Sequence, residues 1–135
     1  MTTKIVLNPR LVIERLENAF NDHDIEAFTE CLSPFYLSEQ PTHPDRSFRG
    51  RERAVEEWAE AFRRVPNFKA ELLRCAVHED TVWAEWHMSG TRKDNKKIDL
   101  WGVAICGVKD NQIAWTHLYL EPIQEPGEGI VSLTG

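Results

Sequence analysis

Two histidines, a glutamate and a tyrosine recur at every second position in two stretches of this chain. Glu85 and His87 stand in TVWAEWHMSG, and His117 and Tyr119 in QIAWTHLYLEP. Alternation of this kind puts such residues on one face of a β-strand. Histidine titrates near neutral pH and can act as general base or acid. A carboxylate can orient an imidazole or hold its charged form, and a phenol can donate to a developing oxyanion. His117 is therefore the candidate catalytic centre, with Glu85 and Tyr119 assisting. The opposite face of the last stretch is Thr116, Leu118 and Leu120. A chemical site requires that the polar row look into a pocket rather than at water.

Composition narrows the possibilities. A chain of 135 residues suggests one domain, with a core from about residue 9 to 125 and a flexible tail, 126–135. Hydrophobic residues make 41% and charged residues 28%, an ordinary globular balance. A net charge of −6 argues against nucleic acid as a partner. Arg49, Arg51, Arg53, Arg63 and Arg64 cluster, but Glu52, Glu56, Glu57 and Glu60 interleave with them, as on a solvated helix face. Cys31, Cys75 and Cys106 are odd in number and widely spaced. They support neither a disulfide framework nor a zinc knuckle, and fit free thiols in a reducing compartment. The apolar run near the N-terminus is too short for a signal peptide, and nothing approaches a membrane span. The expectation is a cytoplasmic protein with no membrane partner.

Positioning the polar row needs a sheet, and the period of the sequence supplies one. Asn8-Pro9 reads as N-cap and first turn of a helix whose buried stripe is Val12, Leu16, Ala19 and Phe20. The run NDHD stops it. Asp24 caps a short second helix with Ile25, Phe28 and Leu32, ended by Pro34. Phe35–Gln40 reads as a short strand, 41–50 as an irregular loop. Gly50–Arg64 reads as a third helix facing inward with Val55, Trp58, Ala59 and Phe62. After Pro66-Asn67 the period falls to 2, and four long strands follow, at about 68–78, 81–92, 97–109 and 112–123. The turns between them hold Glu79-Asp80, Asp94-Asn95 and Asp110-Asn111, and asparagine tolerates the positive φ of tight hairpins. The fold class is α+β: three N-terminal helices packed in a strongly curved antiparallel sheet that forms a cone with an internal pocket.

Hairpin turns fix which residues oppose each other. If Asp94-Asn95 and Asp110-Asn111 are both two-residue loops, Glu85 and His117 both oppose Ala104, His87 and Tyr119 oppose Gly102, and Trp83 and Trp115 oppose Cys106. That face would carry a floor of small residues between two functional walls. Its outer strands lie about 9.6 Å apart, twice the ~4.8 Å strand spacing, so Glu85 and His117 could meet only through a ligand or water over Ala104. Ligand contacts on this register are His87, Trp83, Trp115, Gly102 and Ala104, with Trp58 and Phe62 of the third helix as either core or pocket wall. The other face, with Trp86, Met88, Trp101, Val103, Ile105, Thr116, Leu118 and Leu120, is strongly apolar. Alternation leaves the inverse open: that face as core, the polar row at solvent, and Glu85 paired with Arg74 or Lys69. Two histidines and a carboxylate suit zinc or iron, but two strands of separation speaks against a metal site, and no cofactor is implied.

The order helix, helix, FYLSEQP, FRGRERAVEEW and four strands ending in HLYLEP resembles the nuclear-transport-factor-2-like fold, in particular the SnoaL-like group. The resemblance covers Pro9 to Glu125 and is carried by NDHDIEAFTECLSP, FRGRERAVEEW and IAWTHLYLEPI. It implies a cone with an internal pocket and a homodimer through the outer sheet face. Ketosteroid isomerases of this fold use an aspartate before the proline that ends the first strand. Gln40 stands there, an amide that cannot take a proton, and Leu16 stands where their first helix has a tyrosine. Limonene-epoxide hydrolases use a carboxylate–arginine–carboxylate set, whose last-strand aspartate falls at His117 and whose arginine falls near Trp86 or Glu85. The resemblance thus implies a small, largely apolar ligand and an isomerase, hydratase, dehydratase or cyclase, or else a non-catalytic binding or accessory domain. A third possibility is a plain dimeric module whose cone is filled by Trp83 and Trp115.

Overall fold

The computed structural model describes residues 7–124, so the expected tail, 126–135, lies outside the described residues. Helix α1 spans Pro9–Asp22, with Asn8 capping it by accepting from the Arg10 amide. It ends at His23, whose left-handed φ of 52° lets the chain turn sharply. Asp24 then accepts from the Ala27 amide and starts α2, Ile25–Cys31. Leu32 belongs to the following strand rather than to the helix. Strand β1 runs Leu32–Glu39, including Pro34, and pairs along one side with the two-residue β2, Phe48–Arg49. Gly50, at φ 100°, turns the chain into α3, Arg51–Arg64, and donates its amide to the Tyr36 carbonyl at 2.6 Å. The long strands are β3 (Lys69–His78), β4 (Thr81–Thr91), β5 (Lys97–Lys109) and β6 (Gln112–Pro122).

All six strands form one sheet in the order β2-β1-β6-β5-β4-β3. It is mixed rather than purely antiparallel, because β1 lies parallel to β6. The helices fill its concave side. Val12, Ile13 and Leu16 of α1, Phe28 of α2 and Ala54 of α3 pack with Ala84, Trp86, Met88 and Cys106 of the sheet. Asn21 locks α1 to β3 like an extra strand: its side chain donates to the Ala70 carbonyl and accepts from the Ala70 amide, both at 2.8 Å. Glu17 accepts from the Leu72 amide one step along.

Both expected registers are off by one residue, and each for a visible cause. The β4–β5 turn loops out three residues, Lys93 to Asn95. Arg92 donates to the Lys96 carbonyl, and Asn95 alone takes positive φ, so Thr91 pairs with Lys97 and Glu85 with Val103. The β5–β6 turn is the two-residue loop expected, with Asp110 and Asn111 both at positive φ and Lys109 opposite Gln112. A bulge at Ala114 then shifts the ladder: Ile113 opposes Val108, but Trp115 opposes Gly107 and His117 opposes Ile105. The two shifts run in opposite directions along β5, Glu85 moving from Ala104 to Val103 and His117 from Ala104 to Ile105. Cys106, Ala104 and Gly102 still share a face, but their neighbours are Val82, Ala84 and Trp86 on one side and Thr116, Leu118 and Leu120 on the other.

Candidate functional site

The inner face and the helices enclose a cavity of about 650 Å³, within the usual range for small-molecule sites. Its walls are apolar: Leu16 and Phe20 from α1, Trp58 and Ala61 from α3, and Trp86, Met88, Leu100, Leu118 and Leu120 from the sheet. Ala104 forms part of the floor, and Gln40 lies at the rim with Arg46, which donates to the Gln40 amide oxygen at 3.4 Å. Above them a 3₁₀ turn, Pro44–Arg46, follows His43, whose ring bonds the Glu121 carboxylate at 2.7 Å. That contact ties the 41–47 loop to the end of β6 beside the opening.

Inside, the polar atoms gather in one place. Tyr36 and Ser38 project inward from β1, Thr116 from β6 and Cys106 from β5. All four line the cavity and are nearly inaccessible to water. Strand pairing brings them together: Ser38 sits beside Thr116 across the parallel β1–β6 pair, and Thr116 beside Cys106 across β5–β6. Thr116 and Ser38 are the hydrogen-bonding neighbours that act on the Tyr36 phenol, and Thr116 Oγ1 lies 3.6 Å from Cys106 Sγ. Burial pushes the Tyr36 phenol up to about 12, against those two hydrogen bonds, and pushes the Cys106 thiol up to about 11, against the one from Thr116. Both groups are neutral at pH 7 and act as hydrogen-bonding groups, not as anions. The Tyr36 ring is held edge-on to Phe48, 6.3 Å between centroids, and its carbonyl by Gly50.

The row expected to carry the chemistry faces the other way. Glu85, His87, His117, Tyr119, Trp83 and Trp115 do not line the cavity; with Trp101, Val103 and Ile105 they form the outer sheet face. Glu85 is spoken for, bound to Arg74 at 2.8 Å and accepting from the Trp101 indole at 2.8 Å. His87 bonds Asp99 at 2.5 Å and packs against the Trp101 ring. His117 lies 3.8 Å from Glu39 and edge-on to Trp115, whose indole covers Gly107. The inverse orientation left open by alternation holds for β4 and β6 but not for β5, whose Trp101, Val103 and Ile105 face out while Ala104 and Cys106 face in. Its physical causes are the three-residue turn and the bulge at Ala114.

Of the remaining sequence-derived contacts, Gln40, Ala104 and Trp58 line the cavity. Phe62 and Gly102 do not. Phe62 stacks on His23 with rings 4.7 Å apart and 4° from parallel, behind Trp58. Gly102 marks a close approach: a Cβ there would fall 1.9 Å from the Tyr119 carbonyl oxygen. No cluster of three or more histidine, cysteine, aspartate or glutamate side chains that could hold a metal occurs among the described residues. Nor is any helix among them long and apolar enough to cross a membrane. Tyr36, Ser38, Thr116 and Glu57 are among the cavity residues that sequence reasoning missed. The signal was faint: Tyr36 and Ser38 alternate in FYLSEQ, but their partners lie some eighty positions away.

Comparison with known proteins agrees with the architecture. The chain superposes on an NTF2-like protein of unknown function from Cytophaga hutchinsonii with a TM-score of 0.67 at 16% identity, covering 89% of this chain and 96% of that one. It is similar to IdmH, a putative polyketide cyclase from Streptomyces antibioticus (TM-score 0.74, 19% identity, 85% and 93% covered). It is also similar to an LEH-like epoxide hydrolase from M. tuberculosis (TM-score 0.73, 18% identity, 84% and 82% covered). At these identities the likeness is one of fold. Comparison with curated protein sequences finds no match. A family model described as the SnoaL-like domain matches residues 13–116, more than half of the chain. This chain therefore belongs to the SnoaL-like domain family.

Proposed function

We propose that this protein binds a small, largely apolar molecule inside the cone. The observation that supports the reading best is the cavity itself: about 650 Å³, walled by aromatic and aliphatic side chains, with its hydroxyl groups converging at Tyr36. Burying a ligand's apolar surface there contributes about 25 cal/mol per Å². Thermal shift against a panel of hydrophobic metabolites tests the reading, because a ligand for the folded state raises Tm with its concentration. Replacing Ala104 by leucine, which fills the floor, should abolish the shift. A panel that stabilises the wild-type protein and Ala104→Leu equally would defeat the proposal.

A catalytic reading, as isomerase, dehydratase or cyclase, is favoured by one feature. Glu57 of α3 lines the same cavity as Tyr36 and acts electrostatically on its phenol. A carboxylate beside a neutral phenol can take a proton next to a carbonyl while the phenol steadies the resulting enolate. Glu57 also accepts from Arg53 at 3.1 Å. On this reading Glu57→Gln removes turnover and leaves ligand affinity within about twofold. Loss of both together would instead mark Glu57 as a binding group.

The proposed partner for the outer sheet face is a second copy of the chain. Trp83, Trp101 and Tyr119 are 51%, 45% and 36% exposed there, next to Val103 and Ile105. Their polar neighbours Glu85 and His87 are already paired, so covering these two does not leave them without partners. A stable dimer needs about 800 Å² from each partner. Sedimentation equilibrium should return a dimer, and Ile105→Lys a monomer that still binds ligand; a wild-type monomer at all concentrations contradicts this.

A further inference from the structure

We infer that Arg46, with Gln40 beside it, receives a carboxylate at the mouth of the cavity, so that the ligand class is an amphiphilic acid: an apolar body inside the cone and one carboxylate at its rim. The inference rests on the cavity being a ligand site, as proposed above, and concerns which molecules that site selects.

The charge balance of the lining carries it. Three charged side chains line the cavity: Glu57, Glu121 and Arg46. Each carboxylate has a basic partner, Glu57 accepting from Arg53 at 3.1 Å and Glu121 bonded to the His43 ring at 2.7 Å. Arg46 makes no ion pair among the described residues; its side chain donates to the Gln40 amide oxygen at 3.4 Å. That bond is long for N–H···O and uses one of the five donors of a guanidinium. Its direction is fixed, because arginine only donates. It also orients Gln40: with the amide oxygen turned to Arg46, the amide nitrogen offers two further N–H donors at the same rim.

The backbone beneath these donors is fixed before any ligand arrives. The His43 amide donates to the Gln40 carbonyl at 2.7 Å, and the Arg46 amide to the His43 carbonyl at 2.9 Å. The Gln40 amide donates to the Ser47 hydroxyl at 3.4 Å, and the His43–Glu121 bond anchors the loop to β6. An acid docking here loses little to ordering the loop. One uncompensated positive charge suits a monoanion, and the planar guanidinium fork matches a carboxylate. A phosphate monoester would bring roughly two negative charges against Glu121 on the same rim. An amine would meet Arg46 with like charge. Behind the rim the walls are apolar, so the rest of the molecule is hydrocarbon.

The test compares β-naphthoate, β-naphthamide and α-tetralone, three bicyclic molecules of similar size of which only the first is charged. Calorimetry at neutral pH gives affinities. Expected for the wild-type protein is a preference of about tenfold for the acid over the amide, shrinking at high salt as an ion pair at a mouth should. Arg46→Gln should bring the acid down to the amide, and Arg46→Glu should place it below. Arg46 is exposed and outside the core, so neither change threatens folding. Equal affinity of the wild-type protein for acid and amide, or a preference that survives in Arg46→Gln, overturns the proposal; with α-tetralone still bound, the pocket reading stands. A fall of all three affinities by the same factor in Arg46→Gln also overturns it, and marks Arg46 as a support of the loop. Failure of all three to bind the wild-type protein overturns the two readings together.

Discussion

Trp83 and Trp86 are three residues apart on β4, and the observed register sends them to opposite faces. Trp86 is 2% exposed, packed edge-on to Phe20 with centroids 5.7 Å apart, while Trp83 is 51% exposed. A buried indole removes about 200 Å² from water, or about 5 kcal/mol at 25 cal/mol per Å². One flank of Trp86 borders the cavity, so part of that area was never packed against protein. Trp86→Ala should therefore cost about 3–4 kcal/mol, within the range for large-to-small changes in cores. Trp83→Ala should cost the isolated subunit no more than about 1 kcal/mol, since half the ring is already wet. Urea unfolding followed by far-UV circular dichroism measures both at unchanged m-value. Measurements over a range of protein concentrations separate subunit stability from dimer dissociation. The register with two two-residue turns, with its polar row turned inward, demands the opposite ranking. Equal costs, or a larger one at Trp83, would refute the inward placement of Trp86 and with it the walls assigned to the cavity.

Other consequences are narrower. Cys106 ionises near 9.0 when unfolded and about 11 when folded, and Tyr36 near 10.0 and about 12. The unfolded chain thus loses these protons first, and stability is fully present below pH 9 and falls as pH rises through 11 to 12. Cys106 alone accounts for about 3 kcal/mol of that fall, and pH-dependent urea titrations of Cys106→Ala should lack the portion between pH 9 and 11. Asn21→Ala leaves both backbone groups of buried Ala70 without their partner, with an expected loss of about 2–3 kcal/mol and faster amide exchange at Ala70; unchanged exchange would contradict the lock. Gly102→Ala must push β5 away from the Tyr119 carbonyl and should cost about 3 kcal/mol or more. Thermal melts within a degree of wild type would show that the strands do not approach so closely there.

The elements themselves were readable because each carries local chemistry. Asn8-Pro9 and Asp24 cap the helices they announce, and Asp110-Asn111 forms the two-residue turn its composition favours. Facing was not readable, because it depends on parity and parity is decided by single residues without a signature. Asp94-Asn95 looks like Asp110-Asn111, yet its turn also takes in Lys93. Ala114 is an ordinary strand residue in sequence and a bulge in the sheet. The floor residue Ala104 survived both slips because each changes the facing of a neighbouring strand, β4 or β6, and leaves that of β5 alone. Tyr36, Ser38 and Thr116 were missed for a different reason. They come together through a parallel β1–β6 pairing, and no hairpin announces that contact.

The central claim is that ligands enter the cone beside Tyr36 and leave the imidazoles of the outer face untouched. The chain has two methionines, and Met88 lines the cavity. A titration with α-tetralone, followed by the ¹³C-methyl resonances of methionine and the imidazole ¹H–¹⁵N resonances of histidine, reads both faces at once. The account predicts a saturable shift at Met88 with His87 and His117 unmoved. Saturable shifts at His117 and His87 with Met88 silent would contradict it.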